Sequence, residues 1–286
     1  MNTRLSALLI ATFWLLIGGA AAKADSPIRP GIRIAIVGNT FADQLRSHGY
    51  LETLLLQHWR EEPVSIRNLG WAGDMLSARD RPTNFPTEES TLREHQTDVI
   101  IACFGMGESF DGEAGVANFE TDLIAFIDSH RGKQYNGQSE VRLILVSPIA
   151  YEDLGELTPK VAARNRDLKR YAQVMERIAA EESVPFVDLY EPSKALMEES
   201  EAIPLTTNGI HLSEYGYWAV SSILFDRFIE NVSANEPWRL TIDAKAKKGK
   251  GVGLNVTKVS SSRREISFRV TEESSPSLPS PTRGEL

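Results

Sequence analysis

Cysteine is almost absent, with Cys103 the single one in 286 residues. One thiol excludes an internal disulfide and any multi-cysteine zinc site. Histidine is sparse too, five residues at scattered spacing without an HExxH pair, so no metal and no cofactor are expected. Basic residues are outnumbered, 31 Lys and Arg against 39 Asp and Glu, for a formal charge of −8. A chain of that sign does not hold nucleic acid by neutralising phosphates, so no nucleic-acid partner is expected. Beyond Ala24 no apolar run is long enough to cross a bilayer. What remains is globular composition, 42% hydrophobic and 24% charged. The length suits one large α/β domain with a small appendage, or two small domains.

Met1 to Ala24 reads as a secretory signal peptide. Arg4 supplies a positive start, Leu5 to Gly19 is apolar but short, and small residues follow with two Ala-x-Ala options. An uncleaved amino-terminal anchor is the alternative. No cysteine follows the apolar stretch, which excludes a lipoprotein anchor. The expectation is an exported chain, periplasmic or secreted, with no stable membrane insertion after cleavage.

Five short runs have strand character: Arg33–Val37, Val64–Asn68, Asp98–Phe104, Val141–Ser147 and Val184–Leu189. Several are nearly continuous Val, Ile and Leu, as strands covered on both faces must be. Between them the apolar period becomes helical. Leu51, Leu54 and Leu55 share a face in Tyr50–Trp59, as do Phe119, Leu123, Phe126 and Ile127 in Val116–His130. Ala162–Glu182 and Ser213–Glu230 read the same way. This alternation predicts right-handed crossovers and a three-layer α/β/α sandwich on a parallel sheet, spanning residues 32–230. After Val232 the texture changes. Trp238–Ile242, Val252–Val259 and Glu265–Val270 read as short strands of a β-rich appendage over 236–271, interrupted by a basic stretch, AKAKKGKG, taken as a solvated linker. The Pro/Ser-rich end, 272–286, is expected to be disordered.

In parallel sheets chemistry collects at the carboxyl ends of the strands. The loops there are Gly38-Asn39-Thr40, Asn68 to Asp74, Gly105 to Phe110 and, before the last helix, Asn208-Gly209-Ile210-His211. Thr40 opens a helix, where its hydroxyl either meets a developing anion or simply caps the helix. Gly73 lets backbone approach a ligand. His211 is placed to reach the centre of the crevice, although a lone histidine also serves structural roles.

Taken together, in order and spacing, these loops resemble the blocks of the SGNH/GDSL hydrolase family. The corresponding runs are GNT at Gly38–Thr40, NLGWAGD at Asn68–Asp74, FGMGES at Phe104–Ser109 and NGIH at Asn208–His211. The wording, with SPIA at Ser147–Ala150, is similar to an exported planctomycete-type branch carrying GNT, FGxxES and NGIH variants. The resemblance implies a five-stranded parallel sheet in the order 2-1-3-4-5. It places the nucleophile at Thr40, the base at His211 and the acid position at Asn208. It assigns the oxyanion hole to the backbone of Thr40 and Gly73 and to position 107, where Gly107 lacks the family's asparagine side chain. Asn39, Glu108, Ser109 and Asp188 are candidates for supporting polar groups, with capping of the turn after the fifth strand as the alternative for Asp188. The activity so implied is hydrolysis of a small-molecule or polysaccharide ester, such as a carbohydrate or short-chain acyl ester. The alternative is a catalytically degenerate domain that binds a carbohydrate or acyl ligand.

Overall fold

The computed structural model of the chain describes residues 28–199, 203–229 and 238–273. The expected signal peptide, and the expected tail from Ser274 onward, lie outside the described residues. Strands β1 (Arg33–Gly38), β2 (Ser65–Asn68), β3 (Val99–Cys103), β4 (Arg142–Val146) and β5 (Phe186–Val187) form one parallel sheet. Its order is β2-β1-β3-β4-β5, as the resemblance implies. Among the described residues seven α-helices accompany it: α1 (Thr40–His48), α2 (Tyr50–His58), α3 (Glu88–His95), α4 (Val116–His130), α5 (Val161–Glu181), α6 (Tyr190–Met197) and α7 (Glu214–Phe228).

The continuous apolar strands have a simple cause. Alternate residues serve opposite layers. Ile34, Ile36, Ile101, Cys103, Ile144 and Val146 pack on the side of α1, α2 and α7. Ala35, Val37, Ile100, Ala102, Leu143 and Leu145 pack on the side of α4 and α5. Each large side chain buried there contributes about 1.5–3 kcal/mol of transfer free energy. Strand order reverses between β1 and β3, so their carboxyl ends open a crevice. Gly38 and Cys103 are register partners at that edge. Gly38 has φ +139°, and a Cβ on it would stand 2.2 Å from the Cys103 carbonyl oxygen. Only glycine fits where β1 turns into the first loop.

The carboxyl-terminal region forms two hairpins: β6 (Arg239–Asp243) with β7 (Lys248–Val252), and β8 (Leu254–Ser261) with β9 (Ile266–Glu272). The stretch expected to be a linker is therefore a turn followed by a strand. Asp243 closes the turn by accepting from the N–H groups of Lys245 and Ala246. Gly249 then allows close packing, since a Cβ there would lie 2.3 Å from a Val256 methyl. The lysines of β7 alternate with glycine and remain solvated. Strand β9 also reaches Glu272, the first residue of the expected disordered tail.

Candidate active site

The strand-end loops bound a cleft of about 300 Å³. Asn39, Thr40, Gly73, Gly107 and His211 all line it, among Phe41, Met75, Phe104, Met106, Phe110 and Ile210. The wall is mostly apolar. Cys103 also borders it, but burial pushes its thiol up to about 12, so thiolate is scarce near neutral pH and the residue is no nucleophile.

Asn39, rather than Thr40, caps α1. Its side-chain oxygen accepts from the Phe41 N–H at 3.0 Å. This sets aside the capping role for Thr40, which becomes the first helical residue. Its half-buried hydroxyl makes no hydrogen bond to a described residue. There the helix dipole and the open first-turn N–H groups favour negative charge.

The second and third loops are locked to each other. Glu108 accepts from the Leu76 N–H with one oxygen and from the Gly105 N–H with the other, both at 2.9 Å. Its burial raises the carboxyl pKa above the usual glutamate range. Ser109 is fully buried, donates to the Met106 carbonyl at 2.7 Å and accepts from Arg164 at 2.7 Å. Arg164 also donates to the carbonyls of Ser109 and Met106, at 2.8 and 3.0 Å. Glu108 and Ser109 thus hold loop backbone and do not line the cleft. Asp188 accepts from the Ser147 hydroxyl at 3.1 Å and the Tyr190 N–H at 2.9 Å, at the start of α6, and does not line the cleft either. The supporting roles expected of Glu108 and Ser109 are structural ones, and at Asp188 the capping alternative is the one found.

Gly73 occupies the left-handed region at φ +85°. Beside it Asp74 is buried and held by both Arg81 nitrogens at 2.8 and 2.6 Å, so its charge is neutralised next to the cleft. Gly107 is helical, φ −65° and ψ −50°, a conformation open to any residue. A Cβ there would meet the Met75 Cγ at 3.0 Å. Met75 therefore stands where a side chain at position 107 would begin.

The histidine loop is built around one amide, Asn208, and one carboxylate behind it. Asn208 Oδ1 accepts from the N–H groups of His211 at 2.9 Å and Ile210 at 3.2 Å. Those two donors fix the side-chain orientation, so the Asn208 NH₂ faces the ring and donates to His211 Nδ1 at 2.9 Å. Nδ1 must then offer its lone pair, and a neutral His211 carries its proton on Nε2. A carboxylate at position 208 would place the proton on Nδ1 and leave Nε2 free to accept. Behind the loop lies buried Glu152, which the sequence reading missed. It accepts from the N–H groups of Leu205 at 2.8 Å and Thr206 at 2.6 Å, and from the Thr206 hydroxyl. Its only sequence signal is a position two residues beyond the SPIA run. Gly209, at φ +86°, lies so close to Tyr151 that a Cβ would meet the ring at 2.5 Å.

Residues 35–219 match the GDSL-like Lipase/Acylhydrolase family. The chain belongs to this family. Solved structures share the GDSL-like fold at low identity. Axe2, an acetylxylan esterase from Geobacillus stearothermophilus, aligns with a TM-score of 0.56 and 18% identity over 73% of this chain and 99% of that one. The acetyl xylan esterase AlAXEase aligns at 0.53 and 17% over 69% and 100%. A gut microbial diltiazem-metabolizing enzyme aligns at 0.60 and 17% over 87% of this chain, which spans only 58% of that protein. No curated protein matches the chain. The family description is that of lipases and acylhydrolases, and the solved structures share the fold.

Proposed function

We propose that the chain is a slow esterase for carbohydrate or short-chain acyl esters, with Thr40 as nucleophile and His211 as base. Supporting this reading is one arrangement: an unengaged hydroxyl at the start of α1 and an exposed imidazole, both on one largely apolar cleft. The cleft wall suits a short acyl group, and two structural neighbours are acetylxylan esterases. Thr40 Oγ1 attacks the acyl carbon while His211 takes the hydroxyl proton and passes it to the leaving alcohol. Water then hydrolyses the threonyl ester by the same route in reverse. Backbone N–H groups of Thr40, Gly73 and Gly107 face the oxyanion. The Asn39 side-chain NH₂, unpaired among the described residues, supplies the donor that position 107 lacks. Slowness follows from Asn208, because Nε2 accepts a proton only after the ring changes tautomer.

The Asn208–His211 bond also favours a second reading, in which Nε2–H is a donor that holds a carbonyl or sugar oxygen without turnover. Hydrolysis of activated acetyl and longer acyl esters separates the two. The esterase reading expects a wild-type rate above background, loss of it in His211→Ala and an equal or higher rate in Thr40→Ser. Equal background rates for wild type and His211→Ala across the panel overturn it in favour of the binding reading. Export is part of the same proposal, and an intact Met1–Ala24 in soluble mature protein would remove it.

A further inference from the structure

The loop from Asn68 to Met75 has two sides. One lines the cleft described above, and the other lines a separate groove of about 370 Å³. We infer that this second groove is a subsite for an acidic sugar residue of the glycan whose ester the cleft receives. The inference rests on the esterase reading for the word ester, but its own evidence is the groove.

Two aromatic side chains are left in solvent there, Trp71 at 37% and Phe85 at 45% exposure. Their rings meet edge to face at 5.3 Å and 80°, forming a corner. Exposed rings of this kind offer an apolar face to the C–H side of a pyranose. The charged groups of the groove are four guanidiniums, on Arg46, Arg67, Arg79 and Arg81, and one carboxylate, Glu88, which Arg79 holds in an ion pair. Arg46 is 54% exposed while its partner Asp43 is 8% exposed, and Arg81 is 23% exposed over Asp74 at 5%. In both pairs the carboxylate lies inside and the cation faces out. Arg67 is exposed, and its side chain has no hydrogen-bonded or ion-paired partner among the described residues. A cationic corner on a chain of charge −8 is a local feature, not a reflection of overall charge. A neutral sugar would leave Arg67 without a partner, and a bare anion would leave the rings uncovered. A sugar bearing a carboxylate or sulfate satisfies both, with a bidentate contact to guanidinium and the ring on Trp71 or Phe85.

The test is calorimetric titration of the full chain with de-esterified tetragalacturonate, xylotetraose, a sulfated carrageenan tetramer and sodium sulfate. An acidic oligomer is expected to bind more tightly than xylotetraose, with affinity falling as salt rises. Arg67→Gln and Trp71→Ala, both at exposed positions, should each weaken it by about tenfold or more, the value of one charge-assisted contact or one ring face. Tighter binding of the carrageenan tetramer than of tetragalacturonate supports the assignment with sulfate as the charge, and the reverse supports it with carboxylate. Arg177→Gln, on α5 and outside the groove, should bind as wild type does. Equal binding of xylotetraose, sulfate binding as tightly as the oligomers, or indifference to Arg67→Gln each overturns the proposal. His211→Ala should retain the binding even if no ester is ever turned over, so failure of the subsite and failure of the esterase reading give different results.

Discussion

In the proposed esterase the chemistry at His211 turns on which ring nitrogen holds the proton, and Asn208 decides it through an amide fixed by two backbone donors. Asn208→Asp keeps those two accepted bonds, because a carboxylate oxygen replaces the amide oxygen. It reverses the polarity of the third, so the proton moves to Nδ1. The reverse exchange in a serine-protease triad costs roughly 10⁴ in kcat. Asn208→Asp should therefore raise acetyl-ester kcat by about 10²–10⁴ with little change in melting temperature, measured by steady-state kinetics and calorimetry. A second residue-scale test concerns the donor missing at position 107. Gly107→Asn alone has to displace Met75, which stands 3.0 Å from the new Cβ. Combined with Met75→Ala, it should raise kcat by about 10²–10³, the usual value of one oxyanion donor. The single variant should gain less. A kinetic double-mutant cycle with Met75→Ala reads the difference as coupling between the two sites.

Among the elements, the strands that could be read from sequence were those whose burial on both faces leaves no polar positions, above all β3 and β4. Helices α4 and α5 were legible because four or more apolar residues repeat on one face. Helix α3 was not, since Leu92 is its single buried residue and leaves no period to detect. Helix α6 carries Pro192 in its first turn, where proline is tolerated but reads as a break. In the site, the residues lining the cleft were legible from loop order. The roles of Glu108 and Glu152 were not, because a carboxylate that holds backbone amides looks the same in sequence as one that meets a ligand; at Asp188 the capping reading, one of the two the sequence offers, is the one found. Glu152 gives this a measurable form. Glu152→Gln exchanges an acceptor oxygen for a donor NH₂ facing N–H groups of the histidine loop. It should cost about 1–3 kcal/mol in denaturant unfolding. Hydrogen exchange across Leu205–Leu212 should speed up with it, while β1 and β3 stay protected.

For the molecule as a whole, acid stability is tied to His130 at the end of α4. It is buried, its Nδ1 lies 3.0 Å from the Tyr135 hydroxyl, and burial together with Arg79 and Lys133 lowers its pKa to about 4. The folded chain thus binds fewer protons than the unfolded chain between about 4 and the ordinary 6.5. Stability is full above that window and falls as pH drops through it, by about 3 kcal/mol from this group. Glu108 acts in the opposite sense, since its raised pKa makes stability fall as pH rises above the ordinary glutamate range. His130→Phe should flatten the acid limb of the unfolding free energy between about pH 4 and 6.5 relative to wild type, and an unchanged slope in denaturant titrations would remove the assignment. The histidine loop carries one more consequence, for how this protein ages. Asn208 is followed by Gly209, a sequence in which the backbone nitrogen readily attacks the side-chain amide and expels ammonia. In the folded chain that nitrogen is occupied, donating to the Thr206 hydroxyl at 2.9 Å. Heating or partial unfolding frees it, and deamidation then leaves a carboxylate beside His211. If that carboxylate raises turnover by about 10⁴, deamidation of one molecule in about 10⁴ doubles the rate of a whole preparation. Old stocks would grow more active as they decay, and peptide mass analysis of the loop has to accompany any basal rate.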